Sequence, residues 1–165
     1  MTSRRARAGR RWRMSSIGAL VKEHPLYTVS GSLTVLETAR YMTEKNVGAL
    51  PVVDANQLVG IFSERDMVTR VIAKGLDPKT LLTRDVMTTR LVVAQMDESL
   101  DDCLLKMQQA HCRHMPVVKG EHLVGFVSLR DLLQLDITAK DESLEYLHSY
   151  IYTVPPGMAK RYETH

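Results

Sequence analysis

Pro51-Val52-Val53, Leu58-Val59-Gly60 and Ser63-Glu64-Arg65-Asp66 return 65 residues later as Pro116-Val117-Val118, Leu123-Val124-Gly125 and Ser128-Leu129-Arg130-Asp131. From Thr34 to Met67 that one ungapped offset gives ten identities in 34 positions, Met42 with Met107 among them. An internal repeat sets the architecture before any single motif is read: two copies of one small unit, and a site to be sought twice. A unit of about 55 residues buries too little surface to stand securely alone, so the two copies are expected to pack together.

Outward from these segments, each copy reads as strand–helix–strand–strand–helix. In the first, Leu26 to Val29 is a short extended stretch. Thr34-Val35-Leu36-Glu37 matches a capping box, in which hydroxyl and carboxylate each take a free backbone N–H at a helix start. Val35, Leu36, Ala39 and Met42 follow at helical spacing. Val47 to Val53 and Leu58 to Phe62 read as hairpin strands around Asp54-Ala55-Asn56-Gln57. A second helix is expected after Ser63, turning Met67, Val68, Val71 and Ile72 inward and stopping at Gly75. In the second copy Ser99 to Asp102 stands where Thr34 to Glu37 did. Leu100, Cys103, Leu104 and Met107 make an apolar helix face. Met115 to Val118 and Leu123 to Val127 are strands, and a closing helix after Ser128 should bury Leu129, Leu132 and Leu133. A last helix is expected over Asp141 to Ile151, ended by Pro155-Pro156-Gly157. Its stripe of Leu144, Leu147 and Ile151 would face the core or a second subunit.

Composition bounds the function classes. Apolar content of 44% and charge of 25% are ordinary for a soluble globular chain of 165 residues. No apolar run approaches the roughly 18 residues of a membrane span. The formal charge of +3 is uneven. Arg4, Arg5, Arg7, Arg10, Arg11 and Arg13 stand in the first 13 residues; without them 16 basic residues face 19 acidic ones, a body of −3. Residues 1–13 read as a disordered basic arm. Three readings of the arm stay open: an extension upstream of a start at Met14, an arm for nucleic acid or an acidic partner, and an organelle-targeting segment. Two cysteines, Cys103 and Cys112, make no disulfide framework and point to a reducing compartment.

The sharpest chemical signal is Gly60-x-x-Ser63-x-x-Asp66 with its copy Gly125-x-x-Ser128-x-x-Asp131. Each ends a strand and opens a helix. Glycine allows close approach to the backbone, serine sits where free N–H groups favour an anion, and aspartate can accept two hydrogen bonds from a ribose-like diol. Ser-x-x-Asp is also a plain helix cap, and both roles can coexist. His111, Cys112 and His114 form no metal pattern with distant partners; a core cysteine beside surface histidines accounts for them. No catalytic or glycine-rich phosphate motif is present.

The ordered set, doubled at one offset over about Leu20 to Leu135, resembles a tandem pair of CBS domains, a Bateman module, of the stand-alone bacterial or organellar type. That resemblance implies an α/β fold of two β-α-β-β-α repeats about a pseudo-twofold axis, here with an extra C-terminal helix. It implies two clefts for adenosine compounds, the aspartate of one repeat holding ribose and the pre-proline segment of the other lying against adenine. Carried over, Ser128 and Asp131 would share a cleft with Tyr27 and Gly48-Ala49-Leu50. Ser63 and Asp66 would share the other with Thr88, Val92 and Cys112-Arg113-His114-Met115, ahead of Pro116. Arg113 and His114 fall where such proteins contact phosphate, and Arg70, with Arg65, is a further candidate; a solvated helix face is the alternative for the helix arginines. Gly48-Ala49 against Arg113-His114 makes the clefts unequal.

The expected boundaries are an arm at 1–13, repeat 1 at 20–75, a linker and start of repeat 2 at 76–90, repeat 2 at 91–136, and a C-terminal helix and tail at 139–165. The expected function is non-catalytic sensing of AMP or NAD(H) first, with ATP, ADP and S-adenosylmethionine as further ligands and no metal. A homodimer in the cytoplasm, signalling to an unknown regulated protein, is the expected setting. Nucleic-acid binding through the arginine arm is the alternative.

Overall fold

A computed structural model describes residues 17–152. The arm at 1–13 and Pro155-Pro156-Gly157 lie outside the described residues. Helix α1 (Ile17–Glu23) comes first, then α2 (Val35–Lys45), β1 (Ala49–Asp54) and β2 (Gln57–Ser63). A broken helix follows: α3 (Glu64–Asp66), a π-helical turn (Met67–Val71) and a 3-10 turn (Ile72–Lys74). The chain continues through α4 (Thr83–Val86), β3 (Ala94–Gln95), α5 (Leu100–Ala110), β4 (His114–Lys119), β5 (His122–Ser128) and α6 (Leu129–Tyr152).

The two hairpins match position for position. β1 pairs antiparallel with β2, Ala49 opposite Ser63, and β4 with β5, His114 opposite Ser128. Both carry a register shift at the same place, Val52/Val53 and Val117/Val118. The first turn uses Ala55 and Asn56 at φ 49 and 61, the left-handed pair that matches strand twist in a two-residue hairpin. The parallel partner at the hairpin's open edge is β3 in the second copy and a single Val29–Val52 bridge in the first.

Local chemistry fixes the helix starts. Thr34 and Glu37 form the expected capping box on α2. The remaining first-turn donors, Val35 N–H and Leu36 N–H, reach the carbonyls of Leu81 and Pro78, so the segment after the first repeat is laced onto α2. A buried hydroxyl pair, Thr38 with Thr83 at 2.7 Å, ties the same two regions together. Gly75 ends the broken helix at φ 66.

Each repeat completes the core of the other region of chain. One core gathers Val29, Val35, Met42, Leu50, Val52, Phe62 and Val71, and it is closed by Leu81, Val86 and Met87 from between the repeats. The second gathers Ala94, Leu100, Cys103, Met107, Met115, Val117, Val127 and Leu132, and it is closed by Ile17 and Leu20 of α1. The repeated glycines seat this exchange. A Cβ at Gly60 would run into the Met87 side chain, and one at Gly125 into Val21. The close approach predicted for these glycines is made by the chain itself.

Three expectations change. Val71 is buried and Met67 half-buried, but Val68 and Ile72 are 58% and 59% exposed. Leu132 is buried, yet Leu133 is 44% exposed. Asp141 to Ile151 is not a separate helix, because α6 runs unbroken over 24 residues with no breaker between Leu129 and Tyr152. Leu144 on it is exposed. No described helix is long and apolar enough to cross a membrane.

Candidate functional site

The two Ser-x-x-Asp turns fold alike. Ser63 donates to Asp66 Oδ2 through its N–H (3.0 Å) and its hydroxyl (2.7 Å), and Asp66 N–H returns to Ser63 Oγ. Ser128 and Asp131 repeat this at 3.0 and 2.6 Å, with Asp131 N–H on Ser128 Oγ. Serine therefore caps the helix and clamps one carboxylate oxygen, leaving the other to its surroundings.

Those surroundings differ. Asp66 Oδ1 accepts from the Thr88 hydroxyl at 3.0 Å and lies 3.4 Å from Arg70 Nε. Arg70 also donates through Nη1 to the carbonyls of Val86 and Met87, so its guanidinium is committed to the end of α4. Thr88 itself is bridged to Ile61 of β2 by two backbone hydrogen bonds. Asp131 Oδ1 has no such partner among the described residues.

A cavity of about 310 Å³ opens at Asp66. Its wall from the first repeat holds Ser63, Arg65, Asp66 and Arg70; Thr88 and Val92 come from the connecting segment; Cys112, Arg113 and His114 come from the second repeat. The resemblance to a CBS pair had grouped these same residues. It had omitted Arg90 and His111, which face the same space. Arg90 lies in an irregular stretch with no repeat partner to signal it. The volume falls at the low end of the about 300–1,000 Å³ usual for small-molecule sites. A more open depression of about 610 Å³ adjoins it, walled by Leu104, Met107, Leu129 and Leu133 and sharing Arg65, His111 and Arg113 with the Asp66 cavity. Its surface is mostly apolar side chain with those three at its rim, whereas polar groups converge at Asp66.

The residues grouped with Asp131 have contacts of their own. Gly48 O accepts from Glu64 N–H, and the Glu64 carboxylate lies over the Gly48 α-carbon. Ala49 and Leu50 are buried, which leaves only their backbone to a ligand. Tyr27 sits edge-on to Tyr41 with the Lys45 ammonium near both rings. Pro116 is buried opposite Phe126.

His114 stacks on Phe126, with rings 8° from parallel and centroids 5.7 Å apart. Burial pushes its pKa below the ordinary value and the Arg113 charge adds to this, against the opposing pull of Asp131 and Glu64. Burial, with Glu98 beside it, pushes the Cys103 thiol up to about 11, so it stays a neutral core group. Among the described residues no three His, Cys, Asp or Glu side chains converge as metal ligands.

Known proteins give the arrangement its context. The profile of the CBS domain matches residues 17–73 and again 84–137. The chain belongs to the CBS-domain family. CBS domain-containing protein YhcV of Bacillus subtilis (strain 168) is 41% identical over 105 residues, 64% of this chain and 74% of its own length. A putative signal-transduction protein with CBS domains from Burkholderia ambifaria MC40-6 superposes with a TM-score of 0.71 at 30% identity, covering 74% of this chain and 94% of its own. A CBS domain pair solved in complex with 5-methylthioadenosine and S-adenosyl-L-methionine superposes with a TM-score of 0.62 at 27% identity, covering 68% of this chain and 88% of that one. The CBS pair here is thus the whole of the described body, apart from the outer turns of α6.

Proposed function

We propose that this CBS pair is a non-catalytic regulatory module that binds adenosine-containing ligands in the clefts between its repeats. The observation that carries the reading is the doubled Ser-x-x-Asp turn. In each turn serine holds one carboxylate oxygen; Asp131 Oδ1 has no further partner among the described residues, while Asp66 Oδ1 already accepts from Thr88, a contact that a vicinal diol would share or displace. The similarity to a pair that holds 5-methylthioadenosine and S-adenosyl-L-methionine supports the same ligand class. AMP and NAD(H) are the ligands expected first; ATP, ADP and S-adenosylmethionine share the required nucleoside. A bound ligand would touch both repeats and shift the population of their relative arrangements, which a regulated partner protein would read.

The module acts as a homodimer in this reading. Val68 and Ile72 of the broken helix and Leu133 and Ile137 of α6 are exposed, and each pair is related by the 65-residue offset. An apolar patch with internal two-fold character is self-complementary, as an isologous contact requires.

Calorimetry of the full chain with AMP, ATP, NADH and S-adenosylmethionine tests the ligand reading. Binding is expected, and Asp131→Ala should remove one binding step while sparing the other. Absence of heat beyond dilution at millimolar ligand for all four compounds would overturn it.

A further inference from the structure

Helix α6 outruns the core beneath it. Leu129, Leu132 and Leu135 pack on the second core, and neither core holds a described residue beyond Leu135. The helix runs antiparallel to α5. Leu129 and Leu133 share a wall with Leu104 and Met107, while Asp136 and, further off, Asp101 at the start of α5 hold the Lys140 ammonium charged. Because α5 begins at Leu100, the twelve residues from Asp141 to Tyr152 extend past it. At about 1.5 Å per residue this overhang is about 18 Å long. Its exposed Leu144 continues the line of Leu133 and Ile137, which are 44% and 52% exposed, and Leu147 and Ile151 follow at the same spacing.

The apolar depression lies at the inner end of α6, with Leu133 in its wall. A straight helix cannot fold its outer end back onto it, since Leu144 stands about 16 Å along the axis from Leu133. The heptad spacing of Leu133, Ile137, Lys140, Leu144 and Leu147 suits a paired helix, and charge sets the direction of the pair. The overhang carries Asp141, Glu142 and Glu145 and no lysine or arginine. Arg65 and Arg113 at the rim of the depression and Arg130 on the first turn of α6 are exposed and have no ion-pair partner among the described residues. Parallel helices would set the three acids beside their own copies. Antiparallel helices crossing between Thr138 and Ala139 set them toward the arginines instead. In that register Leu144 stands level with the partner's Leu133. Lys140, whose ammonium is held aside by Asp136, stands level with the partner's Ile137.

We infer that the chain dimerises by exchanging the overhangs of α6, each lying antiparallel across the apolar depression and the exposed Leu133 of the other copy. The inference rests on the homodimer reading above and assigns the α6 half of that contact. Used twice about one two-fold axis, the exchange closes on itself.

The test is sedimentation and disulfide trapping of the full chain, with circular dichroism to check that each variant folds. Leu144→Glu with Leu147→Glu, beyond both cores on α6, should turn the dimer into a monomer. Glu145→Arg should weaken the dimer, and Arg130→Glu in the same chain should restore part of the loss. A chain carrying Leu133→Cys and Leu144→Cys, oxidised with diamide, should give a covalent dimer. Within one copy the two positions are about 16 Å apart, beyond the reach of a disulfide, so only a bond between copies can form. Leu144→Cys alone should stay uncoupled, and the parent with Cys103 and Cys112 is the control. A parent dimer that survives Leu144→Glu with Leu147→Glu, or Leu144→Cys alone trapping as readily as the pair, would overturn the exchange and leave the homodimer reading standing. A monomeric parent would overturn both.

Discussion

At Asp66 both carboxylate oxygens have partners, while at Asp131 one oxygen has none among the described residues. The difference traces to Thr88 and to Arg70, whose repeat-related residue is Leu135. Thr88→Val should remove one donor to a largely buried carboxylate and destabilise the fold by about 1 kcal/mol, measured by urea unfolding. His114 offers a second test at this scale. Its pKa is lowered in the folded state, so the unfolded chain binds the proton more readily. Stability from this group is therefore full above the ordinary value of 6.5 and declines as pH falls below it. NMR titration should find His114 titrating below 6.5 in the free protein and rising when a nucleotide phosphate enters the cavity. A His114 that titrates at or above 6.5 without ligand would contradict the burial argument.

Among the elements, the two helices that follow the Ser-x-x-Asp turns diverge most. One is broken into α, π and 3-10 turns within eleven residues, Glu64 to Lys74; the other is a regular helix of 24 residues. Arg70 ties the π turn to the end of α4, and its repeat-related residue is Leu135. Arg70→Leu, which copies the second repeat, should cost about 1–2 kcal/mol in chemical unfolding, because two carbonyls lose a charged donor. The sequence made the hairpins, the capping box and the Gly75 stop legible, since each depends on residues within a few positions. The residues around Asp66 were grouped by the resemblance to a CBS pair, which implies that the aspartate of one copy faces the pre-proline segment of the other. Helical spacing misassigned Val68, Ile72 and Leu133 for a single reason. Apolar spacing marks a face to be covered without saying what covers it, and both exposed pairs keep helical spacing while facing away from the chain's own cores. Arg90 escaped notice because it belongs to no repeated motif, and His111 was weighed only as a metal ligand.

On the scale of the whole molecule, the exposed pairs predict assembly. Ile72→Glu with Ile137→Glu should convert a dimer to a monomer in sedimentation, whereas Leu105→Glu, on an exposed α5 position without a repeat-related apolar partner at Arg40, should not. The exchange between cores makes a further prediction. Ile17 is fully buried against the second core although it begins the described chain. Ile17→Ala should cost about 2–5 kcal/mol, and hydrogen exchange should show the loss in α5, β4 and β5 before it reaches α2 and β1. Loss confined to the first repeat would contradict the packing.

That exchange also governs how the protein can be made. The first core needs Leu81, Val86 and Met87, so it cannot close when Val71 leaves the ribosome but only after the following segment has emerged. Helix α1, among the earliest described residues to be translated, must wait for strands β4 and β5 before it finds its seat. A nascent chain of this protein therefore carries Ile17 and Leu20 uncovered through most of its synthesis, and a message truncated between the repeats would leave them exposed for good.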